Sequence, residues 1–156
     1  MLSLKMYLDS YSESHQNPQN QLIHQFCVPL ILTSILGVLW TLPTWSLIGN
    51  LNWSYVGILA MTSFYLLFVN GKVMLAHVIN LLPFFLFINL AVYFSVQKWI
   101  LPISIGVFVV AWIFQFIGHK IEGKKPSFFT DLFYLLIGPL WVVEHWLRSL
   151  GRSLLD

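Results

Sequence analysis

Residues 119–126 read HKIEGKKP, and they directly follow the apolar run WIFQFIG at residues 112–118. Lysine and glutamate are concentrated in this short segment, whereas no Asp, Glu, Lys or Arg occurs from residue 99 to residue 119. A charged segment after a long uncharged run is typical of the membrane-surface end of a transmembrane helix. His119 lies at the junction, and we predict that it helps to hold a metal ion at that surface.

The rest of the chain also consists of long apolar runs and short polar connections. Of its 156 residues, 58% are hydrophobic and 9% are charged, whereas a soluble domain carries about 25% charged residues. The net charge of +2 is spread along the chain, which argues against nucleic-acid binding. The sequence therefore predicts an all-α, polytopic integral membrane protein that forms a single membrane domain over residues 1–156.

Four transmembrane helices are predicted, at residues 18–40, 53–69, 73–96 and 99–118. The first begins at Asn17-Pro18, because Asn is a favoured helix N-cap and Pro fits the first helical position. The loop after it is flanked by an aromatic belt of tryptophans at positions 40, 45 and 53.

Two further segments are predicted outside these spans. Residues 4–16 form a short amphipathic helix with Leu4, Tyr7, Leu8 and Tyr11 on its apolar face, and it lies at the membrane interface with its tyrosines at headgroup level. Residues 128–147 are apolar but contain Asp131 and Glu144 and a break at Gly138-Pro139. We predict an interfacial or re-entrant segment there, and a fifth span remains the alternative.

The basic residues predict the orientation of the spans. With a cytoplasmic N-terminus, the cytoplasmic face carries all but one of the lysines, namely Lys5, Lys72, Lys120, Lys124 and Lys125, and Lys98 faces the other side. The membrane would be the inner membrane in a bacterium or the endoplasmic reticulum in a eukaryote. An even number of crossings places the N-terminal region and His119 on the same, cytoplasmic face, where they can meet in space.

Three of the five histidines have a hydrogen-bonding residue four positions earlier on the same helical face. Tyr11 precedes His15. The other two partners are carboxamides, since Asn20 precedes His24 and Gln115 precedes His119. A metal-bound imidazole commonly uses its second ring nitrogen for such a partner. These histidines are therefore the candidate metal ligands, with the alternative that the carboxamides only hold helices together.

The other two histidines have weaker claims. We expect His77 to be a packing or snorkelling residue, and His145 is an outside candidate for a fourth ligand. Glu144 and Asp131 are also functional candidates, because carboxylates are rare in apolar membrane segments. A chain reversal at Gly138-Pro139 would bring Glu144 back towards His119.

Imidazole ligands without a thiolate suit Fe(II) or Zn(II). The neighbouring lysines Lys120, Lys124 and Lys125 are predicted to bind the carboxylate of an amphiphile whose acyl tail lies between the helices. The alternative for these lysines is positive-inside anchoring or contact with anionic lipid.

Two separated blocks of residues carry a family resemblance. The first is Tyr11, His15, Asn17-Pro18, Asn20, Ile23-His24 and Pro29. The second is Trp112, Gln115-Phe116, Gly118-His119, Glu122, Pro126, Asp131, Pro139 and Glu144. With these residues the chain resembles a small membrane family of Fe(II)-dependent 2-hydroxy fatty acid dioxygenases, known from fungal phytosphingosine degradation and widespread in bacteria.

The resemblance implies an α-oxidation, in which a 2-hydroxy fatty acid is shortened by one carbon with O₂. It implies Fe(II) as the cofactor, with His15, His24 and His119 as its ligands. On this basis we predict that Asn20 and Gln115 orient the ligands and that Glu144 is a catalytic acid/base or a further ligand.

One segment departs from the fungal pattern, which has an aromatic residue before the glutamate and one more residue between the histidine and the proline. The resemblance therefore leaves the role of Glu122 open. Two other functions also remain open, a non-enzymatic membrane lipid-binding or assembly protein and a Zn-dependent membrane lipid hydrolase.

Overall fold

The computed structural model describes residues 3–44, 51–68, 70–125 and 133–155, and its regular elements are all helices. In chain order they are α1 (Leu4–Glu13), α2 (Pro18–Trp40), α3 (Trp53–Leu66), α4 (Gly71–Tyr93), α5 (Ile100–Glu122) and α6 (Tyr134–Ser149). The prediction of an all-α protein is confirmed. Within these described ranges, three helices are long and apolar enough to cross a membrane, namely α2, α4 and α5 together with the short 3₁₀ turn before it.

The helix ends follow from local side-chain chemistry. Asn17, Asn52 and Asn70 each accept a hydrogen bond from the backbone N–H two residues later, which caps α2, α3 and α4. The predicted start of α2 at Asn17-Pro18 is thus confirmed. Helix α5 ends at Gly123, whose φ of 74° is the left-handed conformation that favours glycine. It therefore runs one turn beyond the predicted end at residue 118.

Helices α2 and α5 form a closely packed antiparallel pair. A Cβ atom at Gly118 would overlap the side chain of Asn20, and one at Gly37 would overlap that of Ser104. The helices thus approach closely near both ends of α2. This pairing brings the start of α2 to the end of α5, where the two helices carry His24 and His119.

Helix α3 is shorter than the span predicted at residues 53–69. Its 14 residues extend for about 21 Å, whereas the bilayer core is about 30 Å thick. It starts beside the end of α2, where the Asn52 side chain donates to the Trp40 carbonyl at 3.0 Å. Its last turn reaches α6, where the Tyr65 hydroxyl donates to the Leu136 carbonyl at 2.7 Å. Residue 69 lies outside the described residues.

Helix α6 runs without interruption from Tyr134 to Ser149, so the predicted reversal at Gly138-Pro139 is wrong. Pro139 only removes one backbone donor within the helix, and α1, α2 and α4 pack against α6. The Asn80 side chain of α4 donates to the Pro139 carbonyl at 3.0 Å. Asp131 and the first part of the predicted segment lie outside the described residues, as does Trp45 of the predicted aromatic belt.

Helix α1 has the predicted apolar face, with Leu4, Leu8 and Tyr11 buried. It packs on α6, so Tyr11 lies inside the protein and not at headgroup level as predicted. The helix ends at Glu13, three residues earlier than predicted. His15 therefore lies in the short link between α1 and α2.

Candidate metal centre

Three buried imidazoles converge where this link meets the start of α2 and the end of α5. His15 and His24 are each 1% exposed, and His119 is 6% exposed. One ring nitrogen from each histidine lies within 4.8 Å of the others. Among the residues that the structure describes, they are the one group of three or more His, Cys, Asp or Glu side chains close enough to share a metal ion.

His15 is held by the last turn of α1. Its Nδ1 lies 2.6 Å from the Tyr11 carbonyl, and since a carbonyl can only accept, the proton is on Nδ1. The ring stacks on that of Tyr11, with centroids 4.2 Å apart. Burial lowers the pKa of His15 to about 4, so its imidazole is neutral at pH 7. Its Nε2 is buried without a partner and is free to act as a ligand.

His24 and His119 face each other across the α2–α5 contact. The Nδ1 of His24 donates to the Asn20 carbonyl at 2.9 Å, which leaves Nε2 without a proton. This Nε2 lies 3.2 Å from the Nε2 of His119. Two nitrogens bound at about 2.0–2.1 Å to one tetrahedral ion are roughly 3.3 Å apart. The Nδ1 of His119 is buried without a partner.

This set of donors fits a divalent transition metal. Neutral imidazoles with unpartnered nitrogens, and no thiolate among them, suit Fe(II) or Zn(II). Three protein ligands would leave further positions on the ion for other molecules, as in catalytic sites.

The residues predicted to orient the ligands act differently from one another. Tyr11 and Asn20 bind the ring nitrogens of the histidines through their backbone carbonyls, not through their side chains. The Asn20 side chain donates instead to the Ser14 carbonyl and to Glu122, each at 3.1 Å. Gln115 is buried one turn before His119 and lines a cavity that opens from the histidines.

The Glu122 carboxylate joins the three segments that carry the histidines. It lies three residues after His119 on α5, and it accepts backbone N–H groups of Gln16 and Asn17, each at 2.8 Å. With the bond from Asn20, it has donors on both the link and α2. The sequence reasoning missed this role, because these two donors are backbone N–H groups, which no residue pattern marks.

Glu144 is buried near the centre, but its carboxylate does not reach the imidazoles. It accepts hydrogen bonds from Arg148, Ser153 and the Leu154 backbone, at 2.6, 2.8 and 2.7 Å. It therefore fixes the chain after α6 against that helix. No carboxylate of the described residues joins the three imidazoles as a candidate ligand.

The remaining histidines lie outside the cluster. The Nε2 of His77 lies 2.8 Å from the Thr62 hydroxyl, between α4 and α3, as expected for a packing residue. The ring of His145 packs against that of Trp141 on α6. Trp141, which the sequence reasoning also missed, lies against the His15 ring and donates to the Ser12 hydroxyl at 2.9 Å.

The three predicted substrate lysines lie around the end of α5. Lys124 donates to the Glu13 carbonyl at 2.6 Å and so ties α1 to the end of α5. Lys120 and Lys125 are exposed. None of these lysines is among the described residues that line the cavity beside the histidines, so their binding of a carboxylate stays a prediction.

That cavity has a volume of about 380 Å³ and is walled almost entirely by apolar groups. Its lining comes from α2, α3, α5 and α6, with Tyr11 and the three histidines at one end. The volume is within the usual range of ligand sites. The arrangement places the three candidate metal ligands at one end of a long apolar space.

Comparison with known proteins agrees with this arrangement. Residues 1–150 match the family model described as "2-hydroxy-palmitic acid dioxygenase Mpo1-like". The chain is 31% identical over 153 residues to the 2-hydroxy-palmitic acid dioxygenase MPO1 of Saccharomyces cerevisiae. The aligned region covers 97% of this chain and 83% of the yeast protein. No solved structure matches the chain. The chain therefore belongs to the Mpo1-like family.

Proposed function

We propose that this protein is an Fe(II)-dependent dioxygenase that shortens 2-hydroxy fatty acids by one carbon. The observation that carries the proposal is the position of the three imidazoles at one end of a long apolar cavity. An amphiphile with a chelating head and an acyl tail matches both ends of that space. The dioxygenase name of the yeast relative supports the reaction class.

The overall reaction balances without a further reductant. The C1–C2 bond of R–CH(OH)–COOH breaks, and with O₂ the products are R–COOH, CO₂ and H₂O. The substrate loses four electrons and O₂ gains four. Bound Fe(II) would supply the redox centre at which O₂ and the 2-hydroxy carboxylate meet.

The chain's own groups hold and orient the reactants. His15, His24 and His119 would hold the iron, and backbone carbonyls fix the first two rings so that Nε2 faces the centre. The Gln115 carboxamide lines the cavity one turn from His119, where it can donate to the substrate's head. The apolar walls keep water from the tail.

One of the predicted catalytic roles changes in this proposal. The side chain of Asn20 supports the ligands by bonding Glu122, and it is not a catalytic group. An acid/base role for Glu144 remains a prediction, but three donors already hold its carboxylate. Lys120 and Lys125 are exposed beside the centre, where they can attract an anionic head before it enters.

We further propose that the protein spans the membrane four times, with the metal centre on the cytoplasmic face. The short α3 would make the second crossing, since it starts beside the end of α2 and ends beside α6. The lysine distribution supports the orientation.

The test is turnover by the purified protein in detergent with Fe(II), O₂ and 2-hydroxypalmitate. We expect the C15 acid and an equimolar amount of CO₂. The variants His15→Ala, His24→Ala and His119→Ala should each lose both activity and bound iron, and His77→Ala should retain the iron.

Two results would contradict the proposal. One is an unchanged metal content in all three ligand variants. The other is no product from the iron-loaded wild type with any 2-hydroxy acid. Three imidazoles also suit Zn(II), so the alternative of a lipid hydrolase is tested with the zinc-loaded protein and an ester lipid under anaerobic conditions. A hydrolase needs no O₂ and would cleave the ester there, whereas a dioxygenase would not.

A further inference from the structure

We propose that the cavity beside the histidines is an acyl-chain site whose far end, where α2 and α3 cross, limits the length of chain that it accepts. The proposal rests on the proposed function in one respect, because it assumes that the acid's head is held at the histidines. It adds a specificity determinant, distant from the metal centre, at Gly57 and Leu39.

The cavity follows one face of α2. Its lining includes His24, Val28, Leu32, Ile35 and Leu39, which recur at helical spacing and so form a single stripe. The stripe extends from residue 24 to residue 39, and the fifteen helical rises between them span about 22 Å. The site is therefore long and narrow, with its polar groups at one end.

The two ends of the cavity have different walls. Near the histidines, α5 contributes Trp112 and Gln115, and α6 contributes Gly138 and Pro139. Phe108 lies about three helical turns before His119 on α5. At the far end the lining comes from α2, from Gly57 and Met61 of α3, and from Phe108. The far end is thus defined by the crossing of α2 and α3.

That crossing is close because position 57 has no side chain. A Cβ atom at Gly57 would lie 2.9 Å from Cδ1 of Leu39 and 3.4 Å from Cδ2 of Leu36. Both leucines also line the cavity. A larger side chain at position 57 would therefore occupy the last part of the cavity or push the two leucines into it.

Length, and not hydrophobic transfer, should decide which acids fit. A tail that comes from the bilayer leaves surroundings as apolar as the cavity, so it gains little from the transfer itself. An extended covalent chain advances about 1.2 Å per bond, so 22 Å corresponds to roughly 18 bonds. Longer tails would have to displace the α2–α3 crossing.

The experiment compares the wild type with Gly57→Leu, Leu39→Ala and the control Gly106→Leu, all in the same detergent. Gly106 has nothing within 4 Å of its Cβ position and does not line this cavity. Unsubstituted saturated fatty acids from C10 to C22 compete with a fluorescent polyene fatty acid for the protein. A parallel series of 2-hydroxy acids is assayed for kcat/KM.

Gly57→Leu should shift the optimal chain length downward by about four carbons, since one helical turn of 5.4 Å matches about four bonds. Acids at the former optimum should bind it at least tenfold more weakly. Leu39→Ala should shift the optimum upward, and Gly106→Leu should leave it unchanged. If Gly57→Leu does not fold, the upward shift in Leu39→Ala supports the proposal alone.

An identical length profile in all variants, or a uniform loss at every length, overturns the proposal. The competition assay separates this failure from failure of the reaction. A length optimum that moves with the variants supports the acyl site even if no 2-hydroxy acid is turned over. Turnover with an optimum that does not move overturns the acyl site and leaves the reaction standing.

Discussion

The carboxylate of Glu122 joins the parts of the chain that carry the candidate metal ligands. It accepts two backbone N–H groups from the α1–α2 link and one N–H from the Asn20 side chain. Hydrogen bonds to a charged acceptor contribute more than those to a neutral one. One side chain therefore fixes the position of His15 relative to His24 and His119.

We predict that Glu122→Gln lowers metal affinity by about 10- to 100-fold, the usual cost of losing a group that supports a metal ligand. The new carboxamide would present an NH₂ donor to N–H groups that need an acceptor, so at least one of them would lose its bond. Isothermal titration of the apo protein with Fe(II) under anaerobic conditions measures the change.

The matched control for this prediction is Glu13→Gln. The Glu13 side chain is exposed and belongs to the same region of the protein. It should bind Fe(II) as the wild type does. Equal affinities in Glu122→Gln and the wild type would show that Glu122 does not support the centre.

At the scale of the helices, the centre depends on the contact between α2 and α5. We predict that Gly118→Ala destabilises the protein by about 1–3 kcal/mol, the usual cost of overpacking. The added methyl group would overlap the Asn20 side chain, separating His24 from His119. Metal affinity should fall together with the thermal midpoint of the protein in detergent.

Gly106→Ala is the control on the same helix, because its Cβ would meet nothing within 4 Å. It should be neutral or slightly stabilising, since alanine is the better helix former. A Gly118→Ala protein as stable as this control would contradict the close packing of α2 on α5.

Helix α6 and the chain after it are held together by Glu144. We predict that Glu144→Gln destabilises the protein by about 1–3 kcal/mol at pH 7, because a buried acceptor of charge-assisted hydrogen bonds is replaced by a neutral amide. Metal content should stay at the wild-type level, because the carboxylate bonds Arg148, Ser153 and Leu154. Loss of metal in this variant would instead support the prediction that Glu144 is a metal ligand.

The same residue predicts how stability depends on pH. Burial alone would raise the pKa of Glu144, but the donors from Leu154, Arg148 and Ser153 outweigh it and lower the pKa below its ordinary value of 4.5. The stabilisation is therefore complete above pH 4.5 and disappears as the pH falls through the lower value in the folded protein. The stability difference between wild type and Glu144→Gln should shrink over that acidic range. The control is the surface variant Asp9→Asn. Its stability should differ little from that of the wild type, both at pH 7 and in the acidic range.

At the scale of the whole molecule, the sequence predicts the helices better than it predicts the contacts between them. Long uncharged runs and the Asn17-Pro18 cap predict the bounds of α2, α4 and α5 to within about one helical turn. The sequence also predicts that His15 and His119 can meet, because an even number of predicted crossings places both on one face of the membrane. The uninterrupted α6 was missed, because the residue pattern around Gly138-Pro139 does not show that α1, α2 and α4 pack against this helix. Two of the three donors to Glu122 are backbone groups, which leave no residue pattern.

Orientation in the membrane is the last prediction, and it follows from the positions of the cations. Lys98 is exposed in the short turn before α5, at the opposite end of α5 from the metal centre. Arg152 is exposed in the segment that Glu144 and Asn70 hold near the start of α4, and we predict that it lies on the opposite side of the membrane from Lys98. The buried Cys27 is the one native cysteine and can be replaced by alanine. In that background, a membrane-impermeant maleimide added to sealed cells or spheroplasts should label Lys98→Cys and should label Arg152→Cys only after lysis. Labelling of both before lysis would contradict an odd number of crossings between them, and the reverse pattern would place the metal centre on the outer face.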